Sequence, residues 1–300
     1  MRRFLSATLI LMGIITVLTG SARADYSAIY GTYIDYSSGS KIGGPSLTGY
    51  YSTGNLTRTY SFGLSLTSIK YSDNYTSSAT FKRYGISNAG IDFLNQLDVT
   101  VEGSVTNELL KNHTFTFGLH YIITNDNLTN NGIVFYFDGT YFKPYNWNSG
   151  VEFAVSYYPE TIDLQVIQLS PHFGKYYYTT FGTFYGGAKF YYITLNKPDE
   201  IGVNDKNFYS TEVFLNFYRG KTDLGFSVWK GEQVFAVKNS GFVVYNLTEK
   251  YESGVSVEGG YYFTKNYRLG ATISINKFED LETGNDVTQT VVTVSLGYKW

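Results

Sequence analysis

The stretch Thr114-Phe115-Thr116-Phe117-Gly118-Leu119-His120-Tyr121-Ile122-Ile123 sets Phe115, Phe117, Leu119, Tyr121 and Ile123 on one side and Thr114, Thr116, Gly118 and His120 on the other. A period of two marks a strand with one greasy face, because successive side chains of an extended chain point to opposite faces. The alternation recurs at Tyr60, Phe62, Leu64 and Leu66, at Ile133, Phe135 and Phe137, and at Val151, Phe153, Val155 and Tyr157. It returns at Leu269, Ala271, Ile273 and Ile275. Helical periodicity is nearly absent, and residues 107–112 form the only short helical candidate.

A soluble sandwich also alternates, so the polar face has to decide. Here it carries Gly, Ser, Thr, Asn and Tyr instead of the Lys and Glu that coat a soluble sheet. Charged residues make up 16% of the 300, against roughly 25% in ordinary domains. The runs reach about ten residues with aromatics near their ends, as tilted strands crossing a bilayer do, whereas sandwich strands are nearer five or six. With no cysteine, thiol catalysis, thiolate metal sites and disulfides are excluded.

Read back from the C-terminus, strands fall near 286–300, 266–278, 251–263, 222–231, 208–218, 175–196, 162–172, 148–158, 132–142, 113–123, 95–106, 56–71, 46–53 and 26–36. Alternate joints, such as Thr264-Lys265, Phe173-Gly174 and Gly54-Asn55, are short, as periplasmic turns are, and the intervening joints are longer and polar. The sequence therefore predicts an all-β, closed antiparallel transmembrane β-barrel of about 14 strands. Twelve or sixteen also fit, since residues 80–86 read as an additional strand and Gly186-Gly187 as a break in the long 175–196 run. The outside loops look modest and no plug domain is visible, which favours an open lumen.

Arg2 and Arg3, the apolar run 4–18, and Ala22-Arg23-Ala24 before Asp25 have the three-part layout of a secretory signal peptide. Residues 1–24 are expected to be removed after Ala24, leaving residues 25–300 as the barrel. Taking away Arg2, Arg3 and Arg23 leaves 20 basic against 25 acidic residues, so a nucleic-acid partner has no electrostatic support. The chain closes on Val292, Val294, Leu296, Tyr298 and Trp300, apolar or aromatic at every second position. This resembles the C-terminal assembly signal of bacterial outer-membrane barrels, which implies the barrel-assembly machinery as a partner during insertion, outer-membrane lipid as the surroundings, and the bacterial outer membrane as the location.

Nothing points to an enzyme. The histidines are His113, His120 and His172, and no nucleophile elbow, His-x-Ser pair or metal-ligand spacing accompanies them. No cofactor is implied. His120 projects to the polar face, and His172, beside Pro171, falls at a predicted turn. The strand phases assign Asp98, Glu102, Asp138, Glu152, Glu212, Asp223 and Glu258 to the lumen, against Arg268, Lys299 and Lys189. In a water-filled pore this imbalance favours cations, whereas in a narrow, filled lumen the same charges pair across it. Tyr136, Tyr158, Tyr218, Trp229 and Tyr262 also point inward, where rings either stack on sugars or fill space.

The C-terminal half is similar to the YaiO-type outer-membrane barrels. The likeness covers residues 160–300 and rests on His172-Phe173-Gly174-Lys175, Tyr176-Tyr177-Tyr178, the run Phe190-Tyr191-Tyr192-Ile193-Thr194-Leu195, Leu224-Gly225-Phe226-Ser227 and Tyr261-Tyr262-Phe263-Thr264-Lys265-Asn266-Tyr267-Arg268-Leu269-Gly270. It implies location, barrel form and a loose association with surface polysaccharide export. Two functions stand at this point. One is a passive or weakly selective, porin-like channel for small hydrophilic solutes, and the other a non-conducting structural or assembly barrel serving exopolysaccharide export.

Overall fold

The computed structural model describes residues 25–73 and 75–300, so Ala22 and Ala24 of the expected cleavage site lie outside it. Its long strands are β1 (Tyr26–Tyr36), β2 (Lys41–Gly54), β3 (Arg58–Tyr71), β4 (Phe93–Thr106), β5 (His113–Thr124), β6 (Ile133–Lys143), β7 (Trp147–Tyr158), β8 (Leu164–Tyr178), β9 (Thr183–Leu195), β10 (Asn207–Arg219) and β11 (Thr222–Gln233). Two short strands follow, β12 (Val237–Lys238) and β13 (Val243–Val244), and then β14 (Glu249–Tyr262), β15 (Tyr267–Asp280) and β16 (Asn285–Lys299). The fourteen long strands form one closed ring, each paired antiparallel with its chain neighbours. β1 meets β16 from Tyr26↔Lys299 to Tyr36↔Gln289. Closure leaves no edge, so wall amides and carbonyls bond within the ring, as a hydrocarbon setting demands.

The strand faces are inverted relative to a soluble protein. Along β5, Phe117, Leu119 and Ile123 point outward and are exposed, while Thr116, His120 and Thr124 point inward and are buried. Ile29, Leu47, Val213, Val257, Ile273 and Val294 continue the outward apolar band around the ring. Rings sit at the end where both described termini lie. Tyr267 and Tyr298 are 4.7 Å apart and Tyr298 and Trp300 5.3 Å, with Trp300 donating its N–H to the Asp25 carbonyl at 3.2 Å. Val292, Val294, Leu296, Tyr298 and Trp300 thus all lie on the outer face.

Four placements differ from the sequence reading. The turn after β8 is at residues 179–182, not Phe173-Gly174: the Thr179 hydroxyl accepts the N–H groups of Phe181 and Gly182, each at 3.2 Å. Gly174 lies within β8, where a Cβ would come within 2.2 Å of the Tyr185 hydroxyl, so this glycine makes room for a ring. His172 consequently sits mid-strand and faces the lumen. Residues 80–86 do not form a strand: Ala79–Tyr84 is a single helix, α1, capped by the Ser78 hydroxyl on Phe81 N–H and ended by Gly85 at φ 72°. Residues 107–112 are a turn. Gly186 and Gly187 both lie inside β9, so neither breaks the wall.

The loop end carries a hydrophobic cap. Phe81 of α1 packs with Ile86, Leu128, Ile162, Ile201 and Phe235, and a second cluster gathers Tyr36, Tyr71, Tyr251 and Phe278. A polar clasp overlies them. Glu282, fully buried, accepts the Asn88 N–H at 2.7 Å and the Tyr75 hydroxyl at 3.2 Å, and its carbonyl accepts Ser78 N–H at 2.8 Å. Asn88 in turn donates to Asp126 at 2.6 Å, joining the loops after β3, β5 and β15.

Candidate functional site

Each strand delivers every second side chain to the lumen, and all the acids and bases assigned there from the sequence face it: Asp98, Glu102, Asp138, Glu152, Lys189, Glu212, Asp223, Glu258, Arg268 and, at the terminal rim, Lys299. Four of the seven acids have partners. His120 Nε2 lies 3.1 Å from Asp98, Lys189 contacts Glu152, Lys238 lies 3.3 Å from Glu212, and Arg268 grips Asp223 with two nitrogens. Among the described residues Glu102, Asp138 and Glu258 form no ion pair, so an acidic excess survives the pairing.

His120 also contacts the Thr100 hydroxyl through Nδ1 at 2.8 Å, giving a hydroxyl–imidazole–carboxylate chain. The connectivity is that of a catalytic triad. Thr100 and His120 are each only 3% exposed, which shields the hydroxyl from any substrate and makes the chain a satisfied polar network inside the wall.

From mid-height upward the wall is lined with hydroxyls that bond across strands. Ser46 reaches Thr67 at 2.8 Å, Thr32 reaches Thr293 at 2.9 Å, and Ser274 donates to Ser256 at 2.9 Å. Tyr218, Asp223, Tyr262 and Arg268 line a 280 Å³ hollow at the terminal mouth. A larger hollow of 790 Å³, lined by Gly31, Pro45, Leu47, Leu66, Val292 and Val294 among others, lies on the outer wall instead and is apolar, as a lipid-facing surface should be.

The segment between β11 and β14, expected to be an outside loop, folds into the lumen instead. It carries β12 and β13, paired through Val237↔Val244. Gln168 of β8 clamps it with both ends of its amide, accepting Val237 N–H at 2.9 Å and donating to Val237 carbonyl at 2.7 Å. Lys238 lies over Trp229 at 4.8 Å and Tyr191 at 5.2 Å. At the far side the Phe242 ring meets Tyr50 at 5.4 Å and fills the place a Cβ on Gly63 of β3 would take, 2.9 Å away. β3 and β10 are seven places apart in the fourteen-strand ring, so the insert crosses the full diameter. Left-handed backbone at Phe235, Asn239 and Ser240 is held by this packing. The open lumen expected from the sequence is thereby replaced by one barred at mid-height, and Tyr158 and Trp229 serve as packing against the bar and cap.

Below the insert, strands β6, β7 and β8 bring Asp138, Glu152 and His172 together, with one ligating atom of each within 4.8 Å of the others. No spacing announces this: Asp138 stands opposite Glu152 in the ladder, and His172 opposite Gly150, two residues along β7.

No family model matches the chain, and no curated protein matches it in sequence. Its fold is similar to solved barrels. A structure described as a bacterial polysaccharide outer membrane secretin matches 92% of this chain and 98% of its own at TM-score 0.54 and 10% identity. The Ralstonia pickettii toluene transporter TbuX matches 94% and 90% at TM-score 0.55 and 10% identity. A deltaS2S3 mutant of TodX, described as a monoaromatic hydrocarbon channel, matches 95% and 91% at TM-score 0.52 and 10% identity. These likenesses show the closed transmembrane barrel fold.

Proposed function

We propose that this protein is an outer-membrane channel for small hydrophilic solutes, held shut by its own insert. The observation that carries the reading is the insert itself. A polar, acid-rich wall leads up from the terminal mouth to a tethered segment laid across the diameter, where a solid barrel would fill the same space with wall side chains. The outward apolar band supports a place in a bilayer, and the solved barrels of similar fold include one described as a polysaccharide outer membrane secretin and one described as a toluene transporter. Hydroxyls and carboxylates on the wall suit water and cations better than an aromatic hydrocarbon.

The test is planar-bilayer conductance of refolded residues 25–300, with heat-modifiable gel migration as folding control. Wild type is expected to give brief, small openings, and replacement of residues 237–245 by a short Gly-Ser linker to give sustained steps several-fold larger. In that open form, Glu102→Gln with Glu258→Gln should cut the cation-over-anion permeability ratio by roughly half, because both lack an ion-pair partner and lie in the path. An unchanged reversal potential would remove them from the path.

The hydrophobic cap at the loop end favours a second reading, a non-conducting barrel attached to polysaccharide export, in line with the YaiO-type resemblance. Silence from both folded proteins would select it.

A further inference from the structure

Asp138, Glu152 and His172 each keep one buried polar atom without a partner: Oδ1, Oε2 and Nδ1 respectively. Buried acceptors left unpaired are rare and costly, and three in one cluster mark a place built for something else. The remaining atoms of the three side chains are all engaged. Thr140 donates its hydroxyl to Asp138 Oδ2 at 2.8 Å and lies 3.1 Å from His172 Nε2, while Lys189 occupies Glu152 Oε1. The Thr140 hydroxyl has one proton, which goes to Asp138, so His172 Nε2 must carry the hydrogen of the second contact. That fixes the tautomer and leaves Nδ1 as a bare lone pair.

The surroundings hold this arrangement. A Cβ on Gly150 would lie 2.8 Å from His172 Cε1 and 2.5 Å from Thr140 Oγ1, so only glycine lets the imidazole lie against β7. The Glu152 side chain is 9% exposed, so its free oxygen is directed at the cluster and not at bulk water. An imidazole oriented by a hydrogen bond on its other nitrogen, beside two carboxylates, is the donor set of a first-row divalent cation. Donors around such an ion stand about 3–4 Å apart, given bonds of roughly 2.0–2.2 Å, and one ligating atom of each of the three side chains already lies within 4.8 Å of the others.

We propose that Asp138, Glu152 and His172 form a divalent transition-metal site of the zinc class, reached from the terminal mouth and lying directly beneath the insert. The site does not depend on conduction. Lys189 weakens it, since its ammonium holds one carboxylate oxygen and repels a cation. Coupling to the insert is built in, because Tyr136, two residues from Asp138 on β6, has its Cβ 3.5 Å from where Gly241 would carry one.

Zinc titration of the refolded full barrel in detergent, by calorimetry, should show saturable binding of one ion per chain. Cobalt should give visible ligand-field absorption that zinc bleaches. His172→Ala or Asp138→Asn should abolish both signals, Gly150→Ala should weaken affinity about tenfold or more through the displaced imidazole, and Lys189→Gln should tighten it by a similar factor. His113→Ala, at the terminal-end start of β5, should change nothing. Absence of binding to demonstrably folded wild type overturns the proposal, as does zinc binding that survives His172→Ala. Both results would leave the conductance reading untouched, so the two ideas fail separately.

Discussion

Lys41→Met is expected to lower the stability of the barrel by about 3–5 kcal/mol, the cost of stripping the partner from a buried charge. Lys41 Nζ lies 3.0 Å from Glu249 Oε1, with the two side chains 2% and 1% exposed. Tyr251 donates to the other carboxylate oxygen, and Asp280, also buried, accepts from the Ser40 amide and from the Glu282 amide of its own loop. Without the ammonium, Glu249 keeps its charge in a pocket walled by Tyr36 and Tyr251, or takes a proton at a cost in free energy. Urea unfolding from lipid vesicles reads the loss. Lys41→Met combined with Glu249→Leu should recover most of it, because an apolar pair of similar volume needs no desolvation. A double variant as unstable as the single one would mean that Lys41 contributes packing and not charge compensation.

Lys238→Ala should release the insert. Its ammonium faces Glu212 at 3.3 Å and three rings, Trp229, Tyr191 and Tyr245, between 4.8 and 5.4 Å. A desolvated cation over aromatic faces contributes about 2 kcal/mol, and the ion pair adds to it. Losing about 3 kcal/mol from the barred state raises the unbarred population roughly a hundredfold, at 1.4 kcal/mol per decade. Glu212 keeps the Tyr191 hydroxyl at 2.9 Å, so the wall itself should survive. The expected result is open probability increased at least tenfold with unit conductance near that of the linker variant. Lys238→Arg should restore part of the closure, because a guanidinium also stacks on rings. A Lys238→Ala barrel that loses stability yet gates as wild type would show that the insert is a strut.

Strand number and phase were legible because an alternating run has only two faces, and lipid accepts only one of them. Bulges are where that reading stopped. Register shifts at Lys41/Gly43 in β2 and at Tyr251/Ser253 in β14 turn Lys41, Glu249 and Tyr251 inward, against the phase of the rest of their strands. Hence the buried ion pair has no signature in the alternation. The insert did leave a trace, in the apolar residues Val234, Phe235, Val237, Phe242, Val243 and Val244, too greasy for a solvent loop. Gly174 misled in the opposite direction, being small for the sake of Tyr185 and not for a turn. The Asp138, Glu152 and His172 cluster was beyond reach, since it depends on the register of three strands and on a histidine that a misplaced turn had removed from the wall.

The clasp at Glu282 bears on how the barrel is made. It joins residues near 75–88 to a turn almost two hundred positions later, and the seam between β1 and β16 joins positions farther apart still. Contacts of such sequence separation form late and slowly, because chain closure has to be paid in entropy before any of them is rewarded. Neighbouring hairpins can assemble while the ring is open, but neither seam nor clasp can form before the last hairpin arrives. Protection of the Asn88 amide from hydrogen exchange should therefore lag behind that of the hairpin amides during refolding, making this single proton a clock for completion of the ring.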